Sequence, residues 1–582
     1  MRKYFSIRSS LLKLLTLTLL SVNVWIVCKA QDQAPQPVKV TLPPFFVEEK
    51  GPHWNYASAD GLEVLTRCDE DMTQGIVKQV YKAQSYVDTL LPKKYQVNKS
   101  LPRVLLLYPH EMKPSIPQGI LSKNDEDKNT GINTDFRRDP RFFNRPTVEF
   151  FPNLDLRDPD ARITFFIAPS DQAEIGDAVI TPQSLQEAML ERLPALPWWF
   201  TLGFSHMYRS LFNQYDQIGF KPMVFVDTKK TELIAKNQDY PRLLPPIKEL
   251  FSEYGVTSEL PDFEIRKIAL LNEAELFLRW VYSDTTGKRR EALYHFIDQT
   301  ITEPASENIF INYFGINYTE LWERLNDYIP QAISHSIYIP YKDDITIPKI
   351  KLTLATETQI GRIKGDWLRF EADYVKKNYP EYAPRYLQEA RLSLQHAHDR
   401  GGDSATLFSI RGLLELNAGN ISDARGFLED ACKSHVIRPH AYYELAKLRY
   451  NDAIKYPEGE KNKLSDKQIK YILDPLIISE DQSPRPIDAH LFTCRVVIQS
   501  NARLYPEVLS YLKQGVELFP RNPQLLYLTA GIYSLHGNTS LANDLLERAL
   551  RLDPQEALKN RIEVLQNAIR EVSNKRSKPS TP

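Results

Sequence analysis

The chain is poor in cysteine, with four in 582 residues, and three of those lie beyond the first 30 positions. An odd remainder with no C-x-x-C spacing argues against a disulfide framework and against a structural zinc site. At most one bridge is open to it, and Cys432 and Cys494 are the two that fall in one putative domain. Basic surplus is also absent: the formal net charge is −1, and removing residues 1–30 removes five cations and no acid. Nothing there marks a nucleic-acid or anionic-membrane partner. Glycine is scarce beside proline, 22 against 40, which suits many helix starts and stops better than many hairpins. Long apolar runs are missing beyond the N-terminus, which argues against a multi-span membrane protein.

What is present begins with an export signature. "MRKYFSIRSSLLK" carries Arg2, Lys3, Arg8 and Lys13 without an acid, "LLTLTLLSVNVWIVC" follows as an apolar stretch, and Ala30 offers a small residue for cleavage. Residues 1–30 are therefore expected to be a signal peptide, with an uncleaved anchor as the alternative, and the protein to be periplasmic or secreted. Residues 31–59 are Pro-rich and read as an extended lead-in. From 60 to 335 the pattern is mixed. Ile76, Val80, Ala83 and Val87 recur at helical spacing; "RVLLLYP" and "ITFFIAPS" are short apolar runs that read as buried strands. Between them "SKNDEDKNTGINTDFRRDPRFFNRP" is polar and turn-rich, an exposed loop or a lid. "EIRKIALLNEAELFLRWVY" and "YTELWERLNDYI" read as helices.

A second region carries an internal repeat. Residues 489–522 set above 523–556 align Phe492 with Leu526, Val496 with Ala530, Leu512 with Leu546, Gly515 with Ala549 and Pro520 with Pro554. Residues 405–438 supply Gly412, Gly419, Ala424, Leu428 and Ala431 at the same internal positions, and "PHAYYELAKLRY" opens an interrupted unit. Small residues recur where two helices must approach closely. The pattern resembles the tetratricopeptide repeat over 360–572, after a linker at 336–359 and before a loose basic tail at 573–582. Such a resemblance implies a stacked solenoid with an exposed concave side that binds protein or peptide segments; a purely supporting role is the plainer alternative.

The stretch "TPQSLQEAMLERLPALPWWFTLGFSHMYRS" (181–210) has Thr181 as N-cap and Pro182 at the first helical position, then a Pro-bracketed turn and a second helix. Its "LPALPWWFTLGFSHMY" is similar to "P-x-L-P-x-W-L-x-E-G-L-A-x-Y" of the gluzincin-type peptidase domain found in exported bacterial proteins ahead of tetratricopeptide repeats. "RLLPPIKELF", "IALLNEAELFLRWVY" and "YFGINYTELWERLNDYI" resemble later segments of the same domain. The implied fold class is an α+β N-terminal domain, a small zincin-like sheet plus helices, followed by an all-α solenoid.

That family works through His-Glu-x-x-His on one helix and a Glu from the next: two imidazoles four residues apart meet one zinc, and the intervening Glu takes a proton from bound water. Carried over, the first His falls on Pro182, the general base on Gln183, the second His on Gln186 and the third ligand on Leu202. None of these side chains can hold zinc in that arrangement or act as a base near neutral pH. The expectation is a peptidase shell with no cofactor, a scaffold rather than an enzyme. The alternative is a hydrolase using other residues or a metal site rebuilt near His206. Trp198, Trp199, Phe204, His206 and Tyr208 are candidates to line a retained cleft, with core packing as the plainer reading of the aromatic residues and of His206. Glu187 with Glu191, "HEMKP" from His110, and His396 with His398 read as solvated or turn residues.

Overall fold

The computed structural model describes residues 51–95, 103–110, 153–169, 185–186, 189, 192–214, 216–224, 244–252, 263–342, 346–378, 380–402, 404–483, 486–500 and 505–577. The export segment, the polar stretch at 122–146, and Thr181, Pro182, Gln183, Glu187 and Glu191 lie outside the described residues. The chain divides into two compact units, Trp54–Pro380 and a helical unit from Glu381 onward.

The first unit is built on a mixed sheet of strands β1 (Asn55–Ala59), β2 (Leu62–Thr66), β3 (Arg103–Tyr108), β4 (Asn153–Arg157), β5 (Arg162–Ile167) and β9 (Thr353–Leu354), in the order β4-β5-β3-β2-β1-β9. β2, β3 and β5 run parallel, while β4 pairs antiparallel with β5 at one edge. Helix α1 (Glu70–Leu90) covers one face, where Leu105, Leu107 and Phe166 meet Ile76, Val77 and Val80. The other face, with Val104, Leu106, Tyr108 and Phe165, meets Ile363, Trp367 and Phe370 of helix α8 (Glu357–Asn378). Cover on both sides is why β3 reads as an unbroken apolar run instead of an alternating one.

Three boundaries expected from sequence move. β1 lies inside the stretch read as lead-in. The stretch read as linker contributes β9 and also β8 (Ile337–Pro340), which pairs with β7 (Gln217–Phe220) in a three-stranded antiparallel sheet completed by β6 (Leu211–Gln214). Helix α8, read as the start of the solenoid, instead packs on the sheet, because its Ile363, Trp367 and Phe370 share one face with aromatic partners on β3 and β5: Trp367 stacks on Phe165 with centroids 5.6 Å apart. Strands of two to five residues leave too short a period to read, and their pairing partners are distant in sequence.

The rest of the unit is helical: α2 (Trp198–Tyr208), α3 (Ile247–Leu250), α4 (Phe263–Tyr282), α5 (Lys288–Thr300), α6 (Glu307–Phe314) and α7 (Tyr318–Ser334). These share an aromatic core in which Trp199, Phe251, Phe277, Phe296 and Phe310 contact one another edge-on or tilted.

The helical unit runs through α9 (Ala383–Asp399), α10 (Ala405–Asn417), α11 (Ile421–Lys433), α12 (Pro439–Ala453), α13 (Asp466–Ile478), α14 (Ile487–Ile498), α15 (Pro506–Leu518), α16 (Pro523–Leu535), α17 (Thr539–Arg551) and α18 (Glu556–Ser577). The pairs α10/α11 and α16/α17 have the same construction. Each is two helices of 13 residues joined by a three-residue turn containing a glycine at positive φ, Gly419 at 84° and Gly537 at 88°. Small residues let the paired helices close up: Ala424, Ala431, Ala530, Ala542 and Ala549 are buried, and a Cβ on Gly412 would lie 2.6 Å from Leu428 Cγ. The interrupted repeat is seen as a long connection from Ile454 to Ser465 between α12 and α13. The expected loose tail starts later than read from sequence, since α18 continues to Ser577. Cys68, Cys432 and Cys494 are all free, so the one bridge open on sequence grounds is not made. Burial pushes the thiols of Cys432 and Cys494 up to about 12, which keeps both protonated and unreactive near neutral pH.

Candidate functional site

Leu185, Gln186 and Met189 are helical, and Leu185 and Met189 are buried in the aromatic core. A turn with a cis Leu193–Pro194 bond follows, held where Arg192 donates to the Pro194 carbonyl at 2.9 Å and to the Lys94 carbonyl. Pro197 opens α2, its carbonyl accepting from Phe200 and Thr201 at 3.1 Å. Trp198 Nε1 donates to the Ser252 carbonyl at 2.7 Å and ties the helix start to the end of α3.

Of the four carried-over motif positions, Gln186 and Leu202 fall among the described residues, and both are partly buried. Directly after Leu202, α2 crosses α4 in close contact: a Cβ on Gly203 would sit 2.6 Å from the Ala274 carbonyl oxygen. Among the described residues no three His, Cys, Asp or Glu side chains gather at this hairpin closely enough to share an ion.

The candidate cleft residues are placed in the interior. Trp199 and Phe204 are 1% exposed, His206 and Tyr208 are 6% exposed, and Trp198 is partly buried. His206 does not face an open cleft. Its Nδ1 bonds Glu275 on α4, and its Nε2 accepts from the Arg209 guanidinium at 3.0 Å. Because the guanidinium is only a donor, the ring is the Nδ1–H tautomer donating to the carboxylate. Glu275 Oε1 accepts from Arg279 Nε at 2.7 Å, and Arg279 goes on to donate to the Lys221 carbonyl at 2.8 Å and Ser210 Oγ at 2.7 Å. Burial pushes the Glu275 carboxyl up, but the bond from His206 and the charge of Arg279 outweigh it and hold the group below the usual carboxylate range. This is a satisfied buried ion network that ties α2 to α4 and to β7's end.

Sequence reasoning did not single out Glu275, Arg279 or Glu273. The signal was available: "NEAELFLR" sets an acid four residues before an arginine in the half of the helix that is buried throughout, where charges need partners. Glu273 has a different environment. It is 0% exposed, and among the described residues neither carboxylate oxygen has a hydrogen-bond partner.

No protein-family profile and no curated protein matches the chain. Among solved structures it is similar to YrrB, described as a TPR protein with an unusual peptide-binding site, at 16% identity and a TM-score of 0.25, covering 35% of this chain and 95% of that one. The repeat architecture set out above rests on this chain's own helix pairs. Among the described residues no helix is long and apolar enough to cross a membrane.

Proposed function

We propose that the chain is an exported, non-catalytic scaffold: a gluzincin-like shell whose hairpin no longer holds zinc, joined to tetratricopeptide-type repeats that bind a protein or peptide segment. The observation that carries this reading is the content of the hairpin. Leu202 stands where the third ligand is needed, and the side chains around it are committed to packing or to the His206–Glu275–Arg279 network. A metal site rebuilt around His206 has little support, since both ring nitrogens already have partners and, among the described residues, His206 belongs to no group of three possible ligands.

Two surfaces suit capture without cleavage. The helix pairs α10/α11 and α16/α17 share one geometry, the kind of unit that stacks into an array with a groove. In the first unit, β4 is an antiparallel edge strand that pairs, among the described residues, with β5 alone. An open edge of that kind can accept an extended segment through main-chain hydrogen bonds. The turn joining β4 to β5 is held by Arg369 of α8, whose guanidinium donates to Asp158 at 2.6 Å and to Asp366 at 2.8 Å.

The test is metal analysis of the purified chain beside a broad peptidase assay with and without chelator. The expected outcome is far less than one zinc per chain and no chelator-sensitive cleavage. Peptides that bind in a fluorescence-polarisation screen should be recovered intact by mass spectrometry. Zinc near one per chain with chelator-sensitive turnover would overturn the reading.

A further inference from the structure

Helix α4 carries two buried carboxylates two residues apart with opposite surroundings. Glu275 is fully engaged by His206 and Arg279. Among the described residues Glu273 has no donor for either oxygen, and the charge acting on it is another acid, Glu249 of α3. Several other charged groups on the elements packed around α4 have partners elsewhere. Arg209 faces His206; Asp298 of α5 takes Tyr95 and Lys94; Arg289 donates to the Trp280 carbonyl at 2.8 Å; Arg324 of α7 pairs with Glu320 at 2.6 Å. A carboxylate sealed from water with no donor and a like charge nearby is costly to ionise, and a leucine or glutamine would fill the volume without that cost.

We infer that Glu273 is a protonation latch between α4 and α2: it is stored in the core as the neutral acid, and its ionisation loosens the helix crossing. The position supports this role. The next residue, Ala274, lies against Gly203 at the close crossing of α4 and α2, so a movement that brings water or a cation to Glu273 acts beside that crossing. Burial first, and then Glu249, raise the Glu273 carboxyl well above the usual carboxylate range. A raised folded value means that the folded state binds the extra proton. The stability is complete below the ordinary carboxylate range and is lost as pH climbs from there through the folded value.

The experiment compares the full chain with its Glu273→Gln and Glu249→Gln variants across about pH 5 to 9. It reads thermal unfolding and the hydrogen exchange of residues 198–208 and 270–282, corrected for intrinsic rate. Glu273→Gln should flatten the alkaline loss and open a Tm gap of about 2 °C or more at the top of the range, the size that one unit of differential protonation produces in a unit of this length. Exchange in α2 should rise with pH in the wild type and stay level in the variant. Glu249→Gln removes a like charge that raises the Glu273 carboxyl, so it should shrink the alkaline loss and end it at lower pH, and it keeps the test open if Glu273→Gln does not fold. Parallel pH profiles for all three proteins, or a constant offset for Glu273→Gln at every pH, would overturn the latch.

Discussion

Arg279→Met should cost about 3–5 kcal/mol of stability, the range for removing one partner from a buried ion pair and leaving the other charge without compensation. Arg279 is 0% exposed and donates three ways, to Glu275, to the Lys221 carbonyl and to Ser210 Oγ, so methionine can replace its volume but none of its hydrogen bonds. Urea unfolding followed by tryptophan fluorescence measures the loss. A double variant, Arg279→Met with Glu275→Leu, should recover a large part of it, because two apolar side chains leave no stranded charge. If the double variant were as unstable as the sum of the two singles, the network would not be acting as a pair. The pH dependence has a definite sign. Glu275 lies below the usual carboxylate range when folded, so its contribution is complete above that range and is lost as pH falls through its folded value. Glu275→Gln should therefore be less stable than wild type near neutral pH, with the gap closing under acid. Glu273 acts in the reverse sense. Two acids two residues apart on one helix thus work at opposite ends of the pH scale.

Gly203→Ala should destabilise the first unit by about 1–3 kcal/mol, at the upper end of that range for an overpacked contact. The added methyl would meet the Ala274 carbonyl oxygen at 2.6 Å and its carbonyl carbon at 2.7 Å, and helix backbone cannot step aside as a side chain can. The ordinary helix propensity of alanine over glycine, about 1 kcal/mol in the other direction, is too small to cancel this. Gly412→Ala in the helical unit is the control. There the neighbour at 2.6 Å is the Leu428 side chain, which can rotate, so calorimetry should show a smaller loss. An equal or smaller effect at Gly203 would show that the α2–α4 crossing can relax.

Local signals were legible in proportion to their length. The runs that form β3 and β5, the spacing of α1, and the repeats around Gly412, Gly515 and Ala530 lie in windows long enough to show a period. The short strands β8 and β9 do not, and the affinity of α8 for the sheet is invisible until its Trp367 finds Phe165. At the hairpin the resemblance to a zinc peptidase sets proline, glutamine and leucine where ligands would stand, a reading of residue types alone. Where His206 points was not legible, because Glu275 and Arg209 approach it from separate places in the chain.

The order of residues alone thus determined that the chain holds a mixed region and a helical repeat region. Both follow from composition and short-range periodicity, which act before any distant contact forms. Only the tertiary structure decided where one unit ends, which strands share a sheet, and that one acid of α4 is paired while its neighbour is not. Those outcomes depend on which surfaces meet, and burial turns a small difference in position into a large difference in electrostatic energy.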